Sequence, residues 1–237
     1  MDTTIRDLGT ILGVWAHPDD EAYLSGGLMA TARDAGSRVV CVTATRGEHG
    51  TGDPRRWPPD RLAAVRTTEL ARCLAILGVT EHHWLGYTDG GCAAVPAAEA
   101  VDRLAAIIDD VRPDTVLTFG PDGITGHLDH RTVSGWATAA FDRAAAPGAR
   151  LLYAAVPQRW AQRWSAVNDK FDVYLPGFPV LVPDGRLAVD LVPDPPIADR
   201  KIRALAAQET QTAGLIDALG LDEYTAWASD EAFIDRR

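Results

Sequence analysis

Between residues 11 and 156, short continuous apolar runs alternate with longer amphipathic stretches, and this alternation constrains the fold more than any other feature of the chain. Ile11–Ala16 (ILGVWA), Arg38–Thr45 (RVVCVTAT), His82–Leu85, Thr115–Phe119 (TVLTF) and Leu151–Val156 read as strands. Unbroken apolar runs of this length mark strands covered on both faces. Helical stretches separate them at about 21–35, 60–77, 96–111 and 129–146. In the second of these, Leu62, Val65, Leu70, Cys73 and Leu77 fall near one face, and Gly78 stops the helix. Such alternation builds right-handed crossover units on a mostly parallel sheet. The expected fold is α/β, a Rossmann-like doubly wound sheet with a core strand order of 3-2-1-4-5.

After about Pro157 the pattern changes. Phe171–Leu175, Val180–Val182 and Leu187–Val192 read as strand pieces among prolines, and about 197–219 and 222–234 as helices. These extra C-terminal elements are expected to extend the sheet or form a small subdomain on one edge. We read residues 1–237 as a single domain, with 1–156 as the core carrying the site and 157–237 as specificity strands and closing helices. The late segment from about Pro157 to Pro196 is expected to overhang the crevice and select what is attached to the substrate. Trp57, Trp160 and Trp164 read as packing residues, with stacking on a sugar or its aglycone as the alternative.

Charge and cysteine content narrow the partners. Lys and Arg number 23 against 33 Asp and Glu, a net charge of −10. A nucleic-acid binder needs a basic footprint, and a polybasic membrane-surface protein needs the same. Cys41, Cys73 and Cys92 are odd in number and widely spaced, which fits a reducing compartment. The first apolar stretch is too short for a signal peptide or a membrane span. The expectation is a cytoplasmic protein with a small-molecule substrate, no nucleic acid and no membrane insertion; oligomeric state is not legible.

In the order 3-2-1-4-5, strands one and four are neighbours and the winding reverses between them. Ligands of such sheets sit outside the carboxyl ends of the strands at that point. Ala16-His17-Pro18-Asp19-Asp20-Glu21 follows strand one, and Gly126-His127-Leu128-Asp129-His130 follows strand four. Each has a plain reading. Asp19 or Asp20 could cap a helix, and His127 and His130 could be solvated residues of a first helical turn. Brought to one crevice, they favour a metal site. His17 and Asp20, three residues apart at a strand-to-helix turn, with His130 from across the crevice, form an imidazole–carboxylate set of the kind that holds zinc and leaves a position open. Asp19 is then the candidate general base and His127 a second catalytic group.

AHPDDE after the first strand, TRGEHG after the second, the R-x-x-E-L helix, LGYTDGG and the G-H-x-D-H loop together resemble the PIG-L / LmbE-like deacetylases. The resemblance runs from about Ile11 to Gln211, where Lys201–Gln211 looks like the family's K-x6-H-x2-Q helix. It implies a zinc-dependent N-deacetylase of N-acetylglucosamine-type conjugates. His17, Asp20 and His130 match the metal ligands and Asp19 the base. His127 matches the group that stabilises the oxyanion or protonates the leaving amine, and Asp129 the acid that orients that histidine. Glu48, Arg66 and Asp89 match residues lining the substrate pocket. A surface ion pair between Arg66 and Glu69 is the alternative for Arg66. Three positions depart from the pattern: Leu128 where proline is frequent, Thr125 where some members have a tyrosine, and Gln208 where histidine is common.

Amide hydrolysis needs these residue types: a Lewis acid, a base for the attacking water, and a donor at the developing oxyanion. A related zinc amidase acting on an antibiotic N-acyl sugar or a thiol conjugate is the neighbouring alternative. A non-catalytic nucleotide-binding module would want a G-x-G-x-x-G turn after strand one. His-Pro-Asp-Asp stands there instead and would set carboxylates against a pyrophosphate.

Overall fold

A computed structural model describes residues 5–236; the ends of the expected domain, residues 1–4 and Arg237, lie outside the described residues. The elements are β1 (Ile11–Trp15), α1 (Asp20–Asp34), β2 (Val39–Thr45), α2 (Pro59–Leu77), β3 (Glu81–Tyr87), α3 (Ala97–Val111), β4 (Thr115–Phe119), α4 (Leu128–Ala144), β5 (Arg150–Ala154), β6 (Val156–Pro157), α5 (Gln158–Lys170), β7 (Leu181–Val182), β8 (Val189–Leu191), α6 (Pro195–Ala206), α7 (Glu209–Leu219), α8 (Leu221–Ala228) and β9 (Glu231–Asp235).

A seven-stranded sheet runs β3-β2-β1-β4-β5-β9-β8. The first five strands are parallel and carry the expected 3-2-1-4-5 order, with Ile11 in register with Val39 on one side and Thr115 on the other. Every residue of β1, β2 and β4 is buried, as their unbroken apolar runs require. Helices α1, α2 and α6 pack together, as do α3 and α4. Among the described residues, no helix is long and apolar enough to cross a membrane, and Cys41, Cys73 and Cys92 are buried free thiols.

The late half departs from the sequence reading in four places. Gln158–Lys170 is a helix, α5, where only strand pieces were expected nearby. Phe171–Leu175 is irregular, and the next strand pieces shrink to β7 and β8. The single expected helix at 197–219 is two, broken at Ala207–Gln208, where the Gln208 amide turns inward to a buried carboxylate, Glu21 (2.6 Å). The expected helix at 222–234 ends at Ala228, and Glu231–Asp235 becomes β9, antiparallel to both β5 and β8. The expected extension of the sheet edge is present, made by β9 and β8.

A buried ion pair ties these late elements to the core. Lys201 of α6 and Glu231 of β9 meet at 2.8 Å with both side chains fully buried. Glu231 also accepts the Gly27 and Leu28 N–H groups of α1, while Lys201 Nζ donates to Tyr23 O and Ser229 O. Every strong donor and acceptor of the pair is thus engaged, the condition under which a buried pair is tolerated. Lys201→Met is expected to lower the unfolding free energy by about 3–5 kcal/mol, because it leaves a buried carboxylate without its counter-charge. Chemical denaturation measures this, and a loss below about 1 kcal/mol would show that the backbone amides alone satisfy Glu231.

Candidate metal centre and active site

The loops that follow β1, β2, β3 and β4 converge at the carboxyl end of the sheet. The turn after β1 is strained: Asp19 has φ 107°, a left-handed conformation that a β-carbon disfavours. Surrounding groups hold it there. Glu21 Oε2 accepts the Asp19 N–H at 3.0 Å, and Asp19 O accepts the N–H groups of Ala22 and Tyr23. The Arg66 guanidinium donates to Pro18 O and reaches Asp19 Oδ2 at 3.3 Å. It also donates to Gly47 O at 2.8 Å. Gly47 stands at φ 62°, and a β-carbon there would overlap the guanidinium. The turn after β4 has a similar requirement: Gly126, at φ 82°, lies under the ring of Phe178, which would overlap a β-carbon.

His17, Asp20 and His130 come together, each less than a tenth exposed. His17 Nδ1 lies 3.2 Å from His130 Nε2. Asp20 reaches His130 Nε2 with Oδ1 at 3.4 Å and His17 Nδ1 with Oδ2 at 3.7 Å. The opposite ring nitrogens are already committed. His130 Nδ1–H donates to Gly123 O at 3.0 Å, and His17 Nε2–H faces Asp89 Oδ1 at 3.1 Å and Asp129 Oδ2 at 3.3 Å. With those protons turned outward, neutral rings direct their inner lone pairs at each other and at a carboxylate. Two ring nitrogens at this separation, with a carboxylate that reaches each of them through a different oxygen, fit one ion bound at about 2.0–2.1 Å, and outer partners that fix each tautomer are what metal-binding histidines use. The donor set therefore fits a divalent metal.

The acids of the cluster draw positive charge to His17, while burial opposes charge on His130 and Asp19. Burial by itself disfavours a His17 cation, but the Asp129 and Asp89 carboxylates more than offset it and raise its pKa to about 10. Burial lowers that of His130 to about 4 despite Asp20 beside it. Burial raises the Asp19 carboxyl to about 7, with the Arg66 cation pulling in the other direction.

The remaining candidates are placed as follows. His127 caps α4: its Nδ1 accepts the Asp129 N–H at 3.2 Å, so its proton sits on Nε2. A nitrogen of His127 lies within 4.8 Å of ligand atoms of His17 and His130, and His17, Asp89 and Asp129 form a second such group. The Asp129 carboxylate does not reach the His127 ring, contrary to expectation. Gly90 N–H (2.7 Å) and Cys92 N–H (3.1 Å) hold it against His17, so it orients that histidine instead. Arg66 is buried and forms no pair with Glu69, which accepts the Thr210 N–H (2.9 Å) and hydroxyl (2.6 Å). Glu48 does not line the main cavity; it accepts the Asp89 N–H at 3.0 Å from behind. Asp89 does line it, with Oδ2 accepting the His49 N–H at 2.9 Å.

Two further residues belong to the site. Glu21 is fully buried and joins the Asp19 N–H to the Gln208 amide and the Cys73 thiol. Burial, then the nearby Asp19 charge, raises its pKa to about 8. The signal was available in the sequence: Glu21 completes AHPDDE, an acid in an otherwise apolar helix face. Gln208 occupies the position where histidine is common, and it spends its amide on Glu21 rather than on the cavity. The metal-site cluster opens into a cavity of about 550 Å³ that continues past Leu24 to α5, α7 and α8.

Comparison with known proteins agrees with this geometry. Residues 12–141, more than half of the chain, match the family described as PIG-L, GlcNAc-PI de-N-acetylase. The chain belongs to the PIG-L family of metal-dependent N-deacetylases, hydrolases that act on GlcNAc-type conjugates. Among similar proteins is the 1D-myo-inositol 2-acetamido-2-deoxy-alpha-D-glucopyranoside deacetylase of Kineococcus radiotolerans, 34% identical over an alignment covering 88% of this chain and 70% of that protein. Alignments to three further proteins of that name span only 50–64% of the relative's length. The fold is shared with the N,N'-diacetylchitobiose deacetylase of Pyrococcus horikoshii (TM-score 0.66, 20% identity, 98% of this chain and 85% of that one). It is also shared with a deacetylase of the teicoplanin biosynthesis pathway (TM-score 0.68, 19% identity, 95% and 97%).

Proposed function

We propose that this chain hydrolyses the N-acetyl group of an N-acetylglucosamine-type conjugate, with zinc held by His17, Asp20 and His130. The observation that carries the reading is the meeting of two inward ring nitrogens, 3.2 Å apart, with the Asp20 carboxylate, one oxygen 3.4 Å from His130 Nε2 and the other 3.7 Å from His17 Nδ1, beside a strained Asp19. Lewis-acid chemistry, acidifying the attacking water and polarising the acyl carbonyl, is what such an ion supplies when bound.

Asp19 is the base. Arg66 and Glu21 hold its carboxylate and backbone at the edge of the cavity, where it takes the proton of the attacking water. His127, with its proton on Nε2, donates a hydrogen bond to the developing oxyanion, and the proton that Asp19 takes from water passes to the leaving amine. Asp129 and Asp89 fix the His17 tautomer. Arg66 acts through Asp19 as a positioning residue. The division of labour assigns chemistry to residues 1–156 and selection of the attached group to residues 157–237, which supply Pro157, Trp160, Val173 and Trp227 to the cavity.

A screen of N-acetylated amino-sugar conjugates for free-amine release by the zinc-loaded protein tests the reading. Release of one amine per acetate is expected from at least one glucosamine conjugate. Absence of release across the panel, with metal bound, would refute it.

A further inference from the structure

The far part of the cavity has an aromatic wall whose indole donors are already paired. Trp160 Nε1 donates to Trp227 O at 3.3 Å, and Trp227 Nε1 to Asn168 Oδ1 at 3.0 Å. The hydroxyls of Tyr23 and Tyr224 bond each other at 2.9 Å. Rings of Tyr23, Trp160 and Tyr224 all lie within 6.1 Å of that of Trp227, centroid to centroid. Leu24, Val173, Tyr174, Gln211 and Leu215 also line the cavity, whereas Tyr224 is fully buried and does not. What these residues offer a ligand is mainly ring face and hydrocarbon, with the Tyr174 hydroxyl and the Asp230 carboxylate as the polar exceptions.

The charges around it point the same way. Arg159 is paired with Asp190 and, at 3.1 Å, with Asp184, so it is not a free anion receptor. Glu231 is bound to Lys201 and two α1 amides. Asp230 adds a half-buried carboxylate to the lining. At the metal-site end, Leu128, next to His127, is 54% exposed, and Leu175, whose N–H bonds Thr125 O at 2.9 Å, is 51% exposed.

We propose that this arm receives an apolar group, aromatic for preference and without negative charge, attached to the amino sugar. The inference rests on the deacetylase reading only for which end of the ligand faces the metal site. A polyol such as inositol would surrender its hydrogen bonds to water here and find few replacements, which is unfavourable. An aryl group gains burial and ring–ring contact. Substrate preference would then differ from that named for the inositol-conjugate relatives.

The test is calorimetric titration of chelator-treated, metal-free protein with the phenyl, methyl and 1D-myo-inositol glycosides of 2-acetamido-2-deoxy-α-D-glucopyranose. The phenyl glycoside is expected to bind about tenfold tighter than either of the others. Trp160→Ala should remove that advantage while leaving the methyl glycoside's affinity unchanged. If Trp160→Ala does not fold, Val173→Asp, at a half-buried cavity position, should do the same. Equal affinities, or tighter binding of the inositol glycoside, would overturn the proposal. Phenyl preference in binding combined with no amine release from any of the three by the zinc-loaded protein would uphold the apolar arm and count against the deacetylase reading, so the two fail separately.

Discussion

Asp19→Asn is expected to keep its metal and lose activity by a factor of about 10²–10⁴, the range contributed by a positioned proton-transfer group. The substitution is close to isosteric. The carboxamide oxygen can still face Arg66 Nη2, which lies 3.3 Å from Asp19 Oδ2, and the Glu21–Asp19 backbone bond is untouched. What disappears is the capacity to take a proton from water. Asp20→Asn, by contrast, alters an atom placed 3.4 Å from His130 Nε2 and should weaken metal binding. Metal content by atomic emission, measured beside kcat, separates the two positions. If Asp19→Asn empties the site as completely as Asp20→Asn, Asp19 is a ligand and the base lies elsewhere.

His17→Ala and His130→Ala are each expected to abolish stoichiometric metal, and activity with it. Removing either imidazole leaves two ligand atoms where a three-ligand set is needed for a catalytic site with an open position. His17→Ala carries a second penalty. Asp89 and Asp129 lose the shared N–H donor, at 3.1 and 3.3 Å, and stand in the site as two carboxylates near each other. Those two acids could hold a metal weakly by themselves, so measurement at equilibrium against a competing chelator is the deciding form. Retention of one ion per chain with unchanged affinity in both variants would move the site to the Asp89–Asp129 side.

The legible part of this chain was the part in which local pattern and final environment agree. Ile11–Trp15 and Thr115–Phe119 read as buried strands because they are buried on both faces, and their order alone brings His17 and His130 to one crevice. The late half was harder because tertiary partners decide it. Glu231-Ala-Phe-Ile-Asp is five residues with no decisive period, and it becomes a strand because the edge of β5 is open to it. Gln158–Lys170 sits between proline-rich pieces, and its polar face hid the helix. In the site, the side chains were legible but some of their partners were not. The Asp129 carboxylate is turned by the amides of Gly90 and Cys92, from a loop nearly 40 residues earlier, and nothing near position 129 records that.

Placing β9 between β5 and β8 has a consequence for synthesis on the ribosome. The pairing of β1 with β4 spans about a hundred residues, and that of β5 with β9 about eighty more. Until residue 231 has emerged, Leu152–Ala154 is an unsatisfied edge, hydrophobic and ready to pair with another chain. The nascent protein therefore carries a sticky border through the last third of its translation. Chains stopped short of that strand would be expected in inclusion bodies or bound to chaperones, and without Glu231 and Ala232 they would lack part of the cavity lining besides.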